Sequence, residues 1–332
     1  MIYEKWPLKA INWDADELQR ALKPLDFQKL AVISPAQQRY LHYYGIDFAS
    51  HDESLKHNIG NFAAAGYDLT AQVFYQNDAK GTAILMHGYY DHIGIYGSLI
   101  EFCIQQGWNV FAFDLPGHGL STGDRAAISD FSEYDQVFSA AIEQTKIFQK
   151  HTASESLPLH VFGQSTGGAI IINYLLTRQI QQQYSPFSSI NLIAPLVRPC
   201  SWTSAKILHT LLSPFMKQIK RNFAMNSNDI EFLRFIAEQD PLQPLALSVR
   251  WVGALKKWVQ MIEECEPSDL EINIVQGDQD TTVEWRHNMP LLLEKFPQRK
   301  LLMIEGGRHH MVNEALEKRE QMYKWLPEVI GR

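Results

Sequence analysis

Residues 158–177 read Pro-Leu-His-Val-Phe-Gly-Gln-Ser-Thr-Gly-Gly-Ala-Ile-Ile-Ile-Asn-Tyr-Leu-Leu-Thr. The apolar run Leu159, Val161, Phe162 has the length and composition of a buried strand. It meets Gly163-Gln164-Ser165-Thr166-Gly167 and then an apolar stretch of helical length. A strand, a sharp turn with a central serine and a helix form the context in which G-x-S-x-G becomes a nucleophile elbow. The tight turn would strain the backbone of Ser165 and leave its hydroxyl exposed. Glycines two residues to either side keep side chains out of the close approach. The helix N-terminus would offer N–H groups to a developing oxyanion. Five residues alone are weak evidence, so the rest of the chain must decide.

The pattern around this stretch is repetitive in type. Apolar strands at 82–86, 109–113, 159–162 and 189–193 alternate with helical stretches at 93–106, 134–150 and 168–183. Such alternation predicts β-α-β units and an α/β fold, a mostly parallel central sheet with helices on both faces. Upstream, 58–62 and 69–75 are short and partly alternating around Gly66, as expected of an antiparallel hairpin. The alternation stops after Pro195, and 200–267 reads as helical throughout, broken by Pro214, Pro241 and Pro244. It resumes with a strand at 271–276, a helix near 284–295, a strand at 300–304 and a helix at 312–325. Three parts follow: an N-terminal helical extension over 1–56, a core over 57–199 and 268–332, and a helical cap insertion over 200–267. In the extension, Asp14 and Ser34-Pro35 mark helix starts.

Composition bounds the possibilities. The chain has 332 residues, 45% of them hydrophobic and 20% charged, which is ordinary for a soluble globular protein. A net charge of −7 argues against non-specific nucleic-acid binding. Cys103, Cys200 and Cys265 are odd in number and far apart, with no disulfide framework and no zinc spacing. The start, Met-Ile-Tyr-Glu-Lys-Trp-Pro, lacks the pattern of a signal peptide, and no run has the ~18–20 apolar residues of a membrane span. The expectation is a cytoplasmic protein needing no cofactor and no metal. Residues 202–225 hold Lys206, Lys217, Lys220 and Arg221 without an acid, among many apolar residues. That stretch could touch an anionic membrane at its inner face, or lie as an ordinary amphipathic cap helix.

Four further motifs fall at strand C-terminal ends, where open α/β sheets place their ligand sites. Met86-His87-Gly88-Tyr89-Tyr90 could present the Tyr89 N–H as one oxyanion donor, with Thr166 N–H as the other; His87 reads as structural. Asp114-Leu-Pro-Gly-His-Gly follows a strand but has no Lys for phosphate, and a nucleophile belongs at the elbow rather than at Asp114. Gly277-Asp278-Gln279-Asp280 supplies an orienting acid, Asp280 or Asp278. Gly306-Gly307-Arg308-His309-His310 supplies a base, His309 or His310.

The order Ser, Asp, His with these contexts resembles the α/β-hydrolase superfamily. Within it the chain is most similar to the monoacylglycerol lipase and bacterial lysophospholipase group, which is serine aminopeptidase S33-like. The matching pieces are His87-Gly-x-x-x-His92-x-x-x-Tyr96, Asp114-x-x-Gly-His-Gly-x-Ser121-x-Gly, Asp130-Phe131, Gly163–Gly168, Gly277-x-x-Asp280 and Gly-Gly-Arg-His309 leading into Asn313-Glu314. The resemblance covers about 57–330 and favours Asp280 and His309. It implies a serine hydrolase with the triad Ser165, Asp280 and His309, an oxyanion hole at Tyr89 and Thr166, and esters of single-chain lipids as substrates. The same triad would serve a small-ester carboxylesterase, a thioesterase or a proline-iminopeptidase-like aminopeptidase. A non-catalytic scaffold fits less well, since no triad member is missing.

Overall fold

The computed structural model describes residues 11–29 and 32–331. The N-terminal stretch read above for a signal peptide lies outside the described residues. After α1 (Ala15–Ala21) and α2 (Pro35–Tyr44) the chain enters the hairpin β1 (Lys56–Ala64) and β2 (Tyr67–Tyr75). Alternating elements follow: β3 (Gly81–Met86), α3 (Gly97–Gln105), β4 (Trp108–Phe113), α4 (Phe131–His151), β5 (Leu159–Gln164), α5 (Thr166–Thr177) and β6 (Ser189–Ile193). The insertion holds α6 (Trp202–Leu212), β7 (Gln218–Lys220), α7 (Ile230–Glu238), β8 (Ala246–Ser248) and α8 (Val249–Glu264). The chain closes with β9 (Ile272–Gly277), α9 (Trp285–Lys295), β10 (Arg299–Ile304) and α10 (Leu316–Ile330).

Eight strands form one sheet in the order β1-β2-β4-β3-β5-β6-β9-β10. Only β2 runs against the others, being antiparallel to both β1 and β4. The central strands are buried along their whole length, as strands covered on both faces must be. Side-chain alternation divides the core into two layers. Ile84, Met86, Phe111 and Phe113 face the layer built by α4, α5, α8 and α9. Ala83, Leu85, Val110 and Ala112 face the layer built by α2, α3, α7 and α10. After β3 the chain goes to one side for β4 and to the other for β5, so a crevice opens at the C-terminal ends of β3 and β5.

The elements start where local chemistry says they should. Asp130 and Glu133 form a capping box at α4, three residues before the start expected from periodicity. Ser34 and Gln37 form another at α2, with Pro35 in its first turn. The expected helix over 93–106 is instead a short 3₁₀ turn, Ile93–Ile95, followed by α3.

The insertion corrects the sequence reading. It is not helical throughout, because β7 and β8 pair as a small antiparallel ribbon. Nor does all of it cover the site. The buried face of α8 (Trp251, Ala254, Leu255, Trp258, Val259, Ile262) joins the main core. Trp258 stacks on Phe131 at 4.6 Å and donates to Asn173 Oδ1. The remainder, 202–248, is the true excursion. The stretch 202–225 is likewise not one helix: α6 ends at Leu212, and the chain then turns into β7.

Candidate active site

The turn after β5 carries the geometry its sequence predicts. Ser165 has φ 53° and ψ −111°, a left-handed region that an L-residue occupies only when its surroundings enforce it. They do so through the backbone: Ser165 N–H donates to Ile193 C=O at 2.9 Å, and Ser165 C=O accepts from Ala169 and Leu196. The flanking glycines are required by contact. A β-carbon on Gly163 would lie 2.4 Å from the Gly167 carbonyl carbon, and one on Gly167 would lie 2.4 Å from the Met86 carbonyl oxygen. Side chains at either position would drive α5 away from the ends of β5 and β3.

Ser165, His309 and Asp280 form one hydrogen-bonded chain, all three buried. His309 Nε2 lies 3.0 Å from Ser165 Oγ, and His309 Nδ1 lies 2.8 Å from Asp280 Oδ2. The second oxygen of Asp280 accepts the Thr282 and Val283 N–H groups, and Oδ2 also accepts from Gln276 Nε2 at 3.0 Å. Burial raises the Asp280 carboxyl pKa, but His309 and these donors lower it further, so it lies below its ordinary value. For His309, burial pulls the imidazole down and Asp280 more than offsets it, leaving the pKa raised.

The alternatives left open by the residues are placed elsewhere. Asp278 accepts the Gly306 N–H at 2.7 Å and shapes the turn. His310 faces Asp91 rather than Ser165, with Nε2 3.2 Å from Asp91 Oδ2 and its ring 4.7 Å from Phe232 of α7. His87 Nδ1 lies 2.8 Å from Gly88 C=O while Nε2 accepts the Leu115 N–H at 2.9 Å. Its burial pushes the imidazole pKa down, as suits a neutral structural ring. Asp114 accepts the Ile93 and Leu120 N–H groups and anchors the glycine loop.

The segment carrying Tyr89 lies against the elbow, since a β-carbon on Gly88 would be 3.3 Å from Ser165 Cβ. The Gly88 N–H is consumed by Tyr96 Oη at 2.9 Å and Asp91 Oδ2 at 3.2 Å. The Tyr89 and Thr166 N–H groups have no acceptor among the described residues. The Tyr89 ring is fixed by stacking on Trp251 at 3.9 Å and by donating to Ala126 C=O.

Three features escaped the sequence. Asp91 gathers Tyr96 Oη, Gly88 N–H and His310; burial acts to raise its carboxyl, but His310 above all, with His87 and Tyr96, holds it well below the usual range. The segment 225–228 of the insertion is tied to the His309 loop: His310 N–H donates to Asn226 C=O at 2.7 Å, Ser227 Oγ to Asn313 C=O, and Asn228 N–H to Glu314 Oε2. Arg221, read with three lysines as one basic stretch, turns onto Tyr90. His92, Tyr96 and Asn313-Glu314 were visible as motif positions, but nothing in the sequence said what each would hold.

With this geometry in view, comparison with known proteins is informative. Residues 77–315 match the family described as serine aminopeptidase, S33. The chain belongs to this family. It is accordingly a serine hydrolase of the α/β-hydrolase fold, in the group that contains the monoglyceride lipases. Rat (Rattus norvegicus) monoglyceride lipase is 28% identical over 247 residues, spanning 71% of this chain and 77% of that protein. Phospholipase YtpA of Bacillus subtilis is 27% identical over 190 residues, 53% of this chain and 66% of that protein. Among solved structures, a soluble variant of the Saccharomyces cerevisiae monoglyceride lipase with a substrate analog aligns with a TM-score of 0.69 at 19% identity, covering 82% of this chain and 93% of that one. That likeness is one of fold. Among the described residues no helix is long and apolar enough to cross a membrane, and no group of three His, Cys, Asp or Glu is arranged to hold a metal ion.

Proposed function

We propose that the protein hydrolyses carboxylic esters of single-chain lipids, lysophospholipids or monoacylglycerols, through an acyl-enzyme on Ser165. The observation that carries this reading is the unbroken Ser165–His309–Asp280 chain at a strained strand-to-helix turn. Ser165 Oγ attacks the ester carbonyl as His309 Nε2 takes its proton. Asp280 accepts the Nδ1–H and so fixes the tautomer that leaves Nε2 free as a base. The Tyr89 and Thr166 N–H groups receive the oxyanion of the tetrahedral intermediate. The imidazolium then protonates the departing alcohol. Water, deprotonated by the same nitrogen, releases the fatty acid.

Lipid rather than small-ester chemistry is supported by the relatives' names and by α6. Of its eleven residues only Trp202 is buried. Ile207, Leu208 and Leu211 are exposed, as are Phe215, Met216, Phe223 and Met225 beyond it, with Lys217 and Lys220 beside them. An apolar surface flanked by cations suits docking on an anionic lipid aggregate. The aminopeptidase alternative would need an available carboxylate for a substrate amine. In the insertion, Asp240 is taken up by His92, Glu263 by Arg198 and Glu231 by Arg234.

The test is purified protein against lysophosphatidylcholine, monoacylglycerol, a short p-nitrophenyl ester and a proline arylamide, with Ser165→Ala as blank. The expected result is release of fatty acid from a single-chain lipid, abolished in the variant. Turnover of the arylamide alone, or near-normal ester turnover by Ser165→Ala, sinks the reading.

A further inference from the structure

Resting on the reading above, we propose that Arg221 selects the lipid headgroup: its guanidinium binds the phosphate of an acyl glycerophosphate, making this a hydrolase of phosphate-bearing rather than neutral single-chain lipids.

Of the four Lys and Arg residues of 202–225, Arg221 is the one stacked on the segment after β3 that carries Tyr89 and Tyr90. Its backbone N–H donates to Leu245 C=O at 2.9 Å, continuing the β7–β8 ribbon. The guanidinium lies between two rings, 4.0 Å from the centre of Tyr90 and 4.3 Å from that of Phe223. Its Nη1 donates to Gln243 Oε1 at 2.7 Å and to Pro244 C=O at 3.2 Å. Gln243 is itself fixed, donating to Asp240 Oδ2 at 2.8 Å, and Asp240 is held by His92 at 2.9 Å and by Tyr44 Oη at 2.7 Å. The group is therefore preorganised, and little side-chain freedom remains to be lost on binding.

It is also unneutralised. No carboxylate lies within ion-pair distance of Arg221 among the described residues, whereas Arg178, Arg198, Arg234 and Arg250 each have one. Asp91 and Asp240 are close enough to act on it electrostatically, but each already faces a histidine, His310 and His92. Nη1 makes every hydrogen bond of the guanidinium, so Nε and Nη2, the edge that meets an oxyanion with two parallel donors, have no partner among the described residues. Neither nitrogen is closed off from solvent, so this donor edge is open to an incoming anion.

Position completes the argument. Tyr90, on which the guanidinium stacks, directly follows Tyr89, whose N–H is offered to the oxyanion. In an acyl glycerophosphate the phosphate is separated from the scissile ester only by the glycerol skeleton. An ester held at Ser165 and Tyr89 therefore brings a phosphate into this neighbourhood, while a monoacylglycerol brings a hydroxyl. Free phosphate shares the chemistry and lacks the tether.

The experiment compares wild type, Arg221→Gln and Arg221→Lys on acyl glycerophosphate and monoacylglycerol of the same chain, with thermal unfolding as a folding check. The quantity read is the ratio of kcat/KM for the two lipids. Losing a charge-assisted pair of hydrogen bonds should lower that ratio by about 10- to 100-fold in Arg221→Gln, with Arg221→Lys intermediate. In a second arm, sn-glycerol 3-phosphate should compete with a p-nitrophenyl ester in wild type, and much less in Arg221→Gln. A ratio unchanged by substitution, including one in which both lipids fall together, overturns the headgroup role while leaving lipid hydrolysis standing. Equal competition by inorganic phosphate and sn-glycerol 3-phosphate overturns it in favour of a free-phosphate site. Wild type that cleaves the p-nitrophenyl ester but neither lipid refutes the lipid reading itself.

Discussion

Replacing Gly167 with Ala should disable the site without unfolding the protein. A β-carbon there would lie 2.4 Å from Met86 O, 2.8 Å from Met86 C and 2.9 Å from Met86 Cβ. Reaching ordinary contact, 3.4 Å or more, requires the start of α5 and the end of β3 to separate by about 1 Å. Those two pieces carry the two donors proposed for the oxyanion: Thr166 is the first residue of α5, and Tyr89 lies three residues beyond Met86. A shift of that size is enough to cost on the order of 100-fold in rate, in line with about 10²- to 10³-fold for losing one oxyanion donor. Stability moves less. Overpacking costs about 1–3 kcal/mol, while Ala in place of Gly inside a helix returns up to about 1 kcal/mol. The expectation is kcat lowered about 100-fold with KM within a few-fold, because the ground-state ester does not need the hole. Steady-state kinetics on a p-nitrophenyl ester, normalised by phosphonate titration of Ser165, would measure this alongside thermal unfolding. Gly168→Ala is the control: its nearest contacts are 3.1 and 3.2 Å, to Pro195 and the Gly163 carbonyl, so its neighbours need give only by tenths of an ångström. If Gly167→Ala keeps kcat within about threefold of wild type, the close approach does not set the oxyanion hole and the reasoning fails.

Two further outcomes follow from the buried charges. The rate should rise with pH as His309 loses its proton, with a midpoint above the ordinary imidazole value of 6.5. In Asp280→Asn the largest raising influence on His309 is gone and burial remains, so the acid limb should move to lower pH, while loss of the required tautomer should lower activity by about 10⁴-fold; a limb that stays in place contradicts the assigned pairing. Asp240→Asn should destabilise the fold by about 3–5 kcal/mol near neutral pH, as expected when a buried pair loses one partner. Because His92 and its other donors lower the Asp240 pKa despite burial, that contribution is present above the unfolded carboxyl value, about 3.9. It disappears as pH falls through the folded value, so the difference in Tm from wild type should narrow in acid; a constant difference counts against it.

What was legible in the sequence was whatever is fixed by local covalent geometry. Gly163, Ser165 and Gly167 are required by contacts of neighbouring backbone, so their spacing survives as a motif. The continuous burial of β3 to β6 is likewise written as apolar runs, and the alternation of strands with helices gave the sheet. That Asp280 and His309 can meet Ser165 follows from strand ends lying on one side of a parallel sheet. The insertion was not legible, because its parts are defined by partners distant in sequence. Gln218 to Lys220 is too short and polar to read as a strand, and becomes one only by pairing with Ala246 to Ser248. The amphipathic face of α8 looks the same whether it covers a site or packs on α4. The side-chain direction of Arg221 depends on Tyr90 and Gln243, which no local pattern can indicate.

The N-terminal extension shows how such distant partners join structure to the site. By composition it carries no chemistry. In the fold, Tyr43 Oη donates to Gln239 C=O and Tyr44 Oη to Asp240, both at 2.7 Å, so α2 grips the turn after α7. Asp240 is the node at which this grip meets His92, from the loop following β3, and Gln243, which orients Arg221. On the opposite flank Asn226, Ser227 and Asn228 bind the loop of His309. The excursion is thus anchored at both ends of 225–243, while α6 rests on the core and α8 through Trp202, Ala205, His209 and Thr210 and leaves Ile207, Leu208 and Leu211 exposed. On the function proposed above, rigidity lies where a headgroup and a catalytic imidazole need fixed partners, and exposed apolar surface lies where a lipid aggregate can meet it.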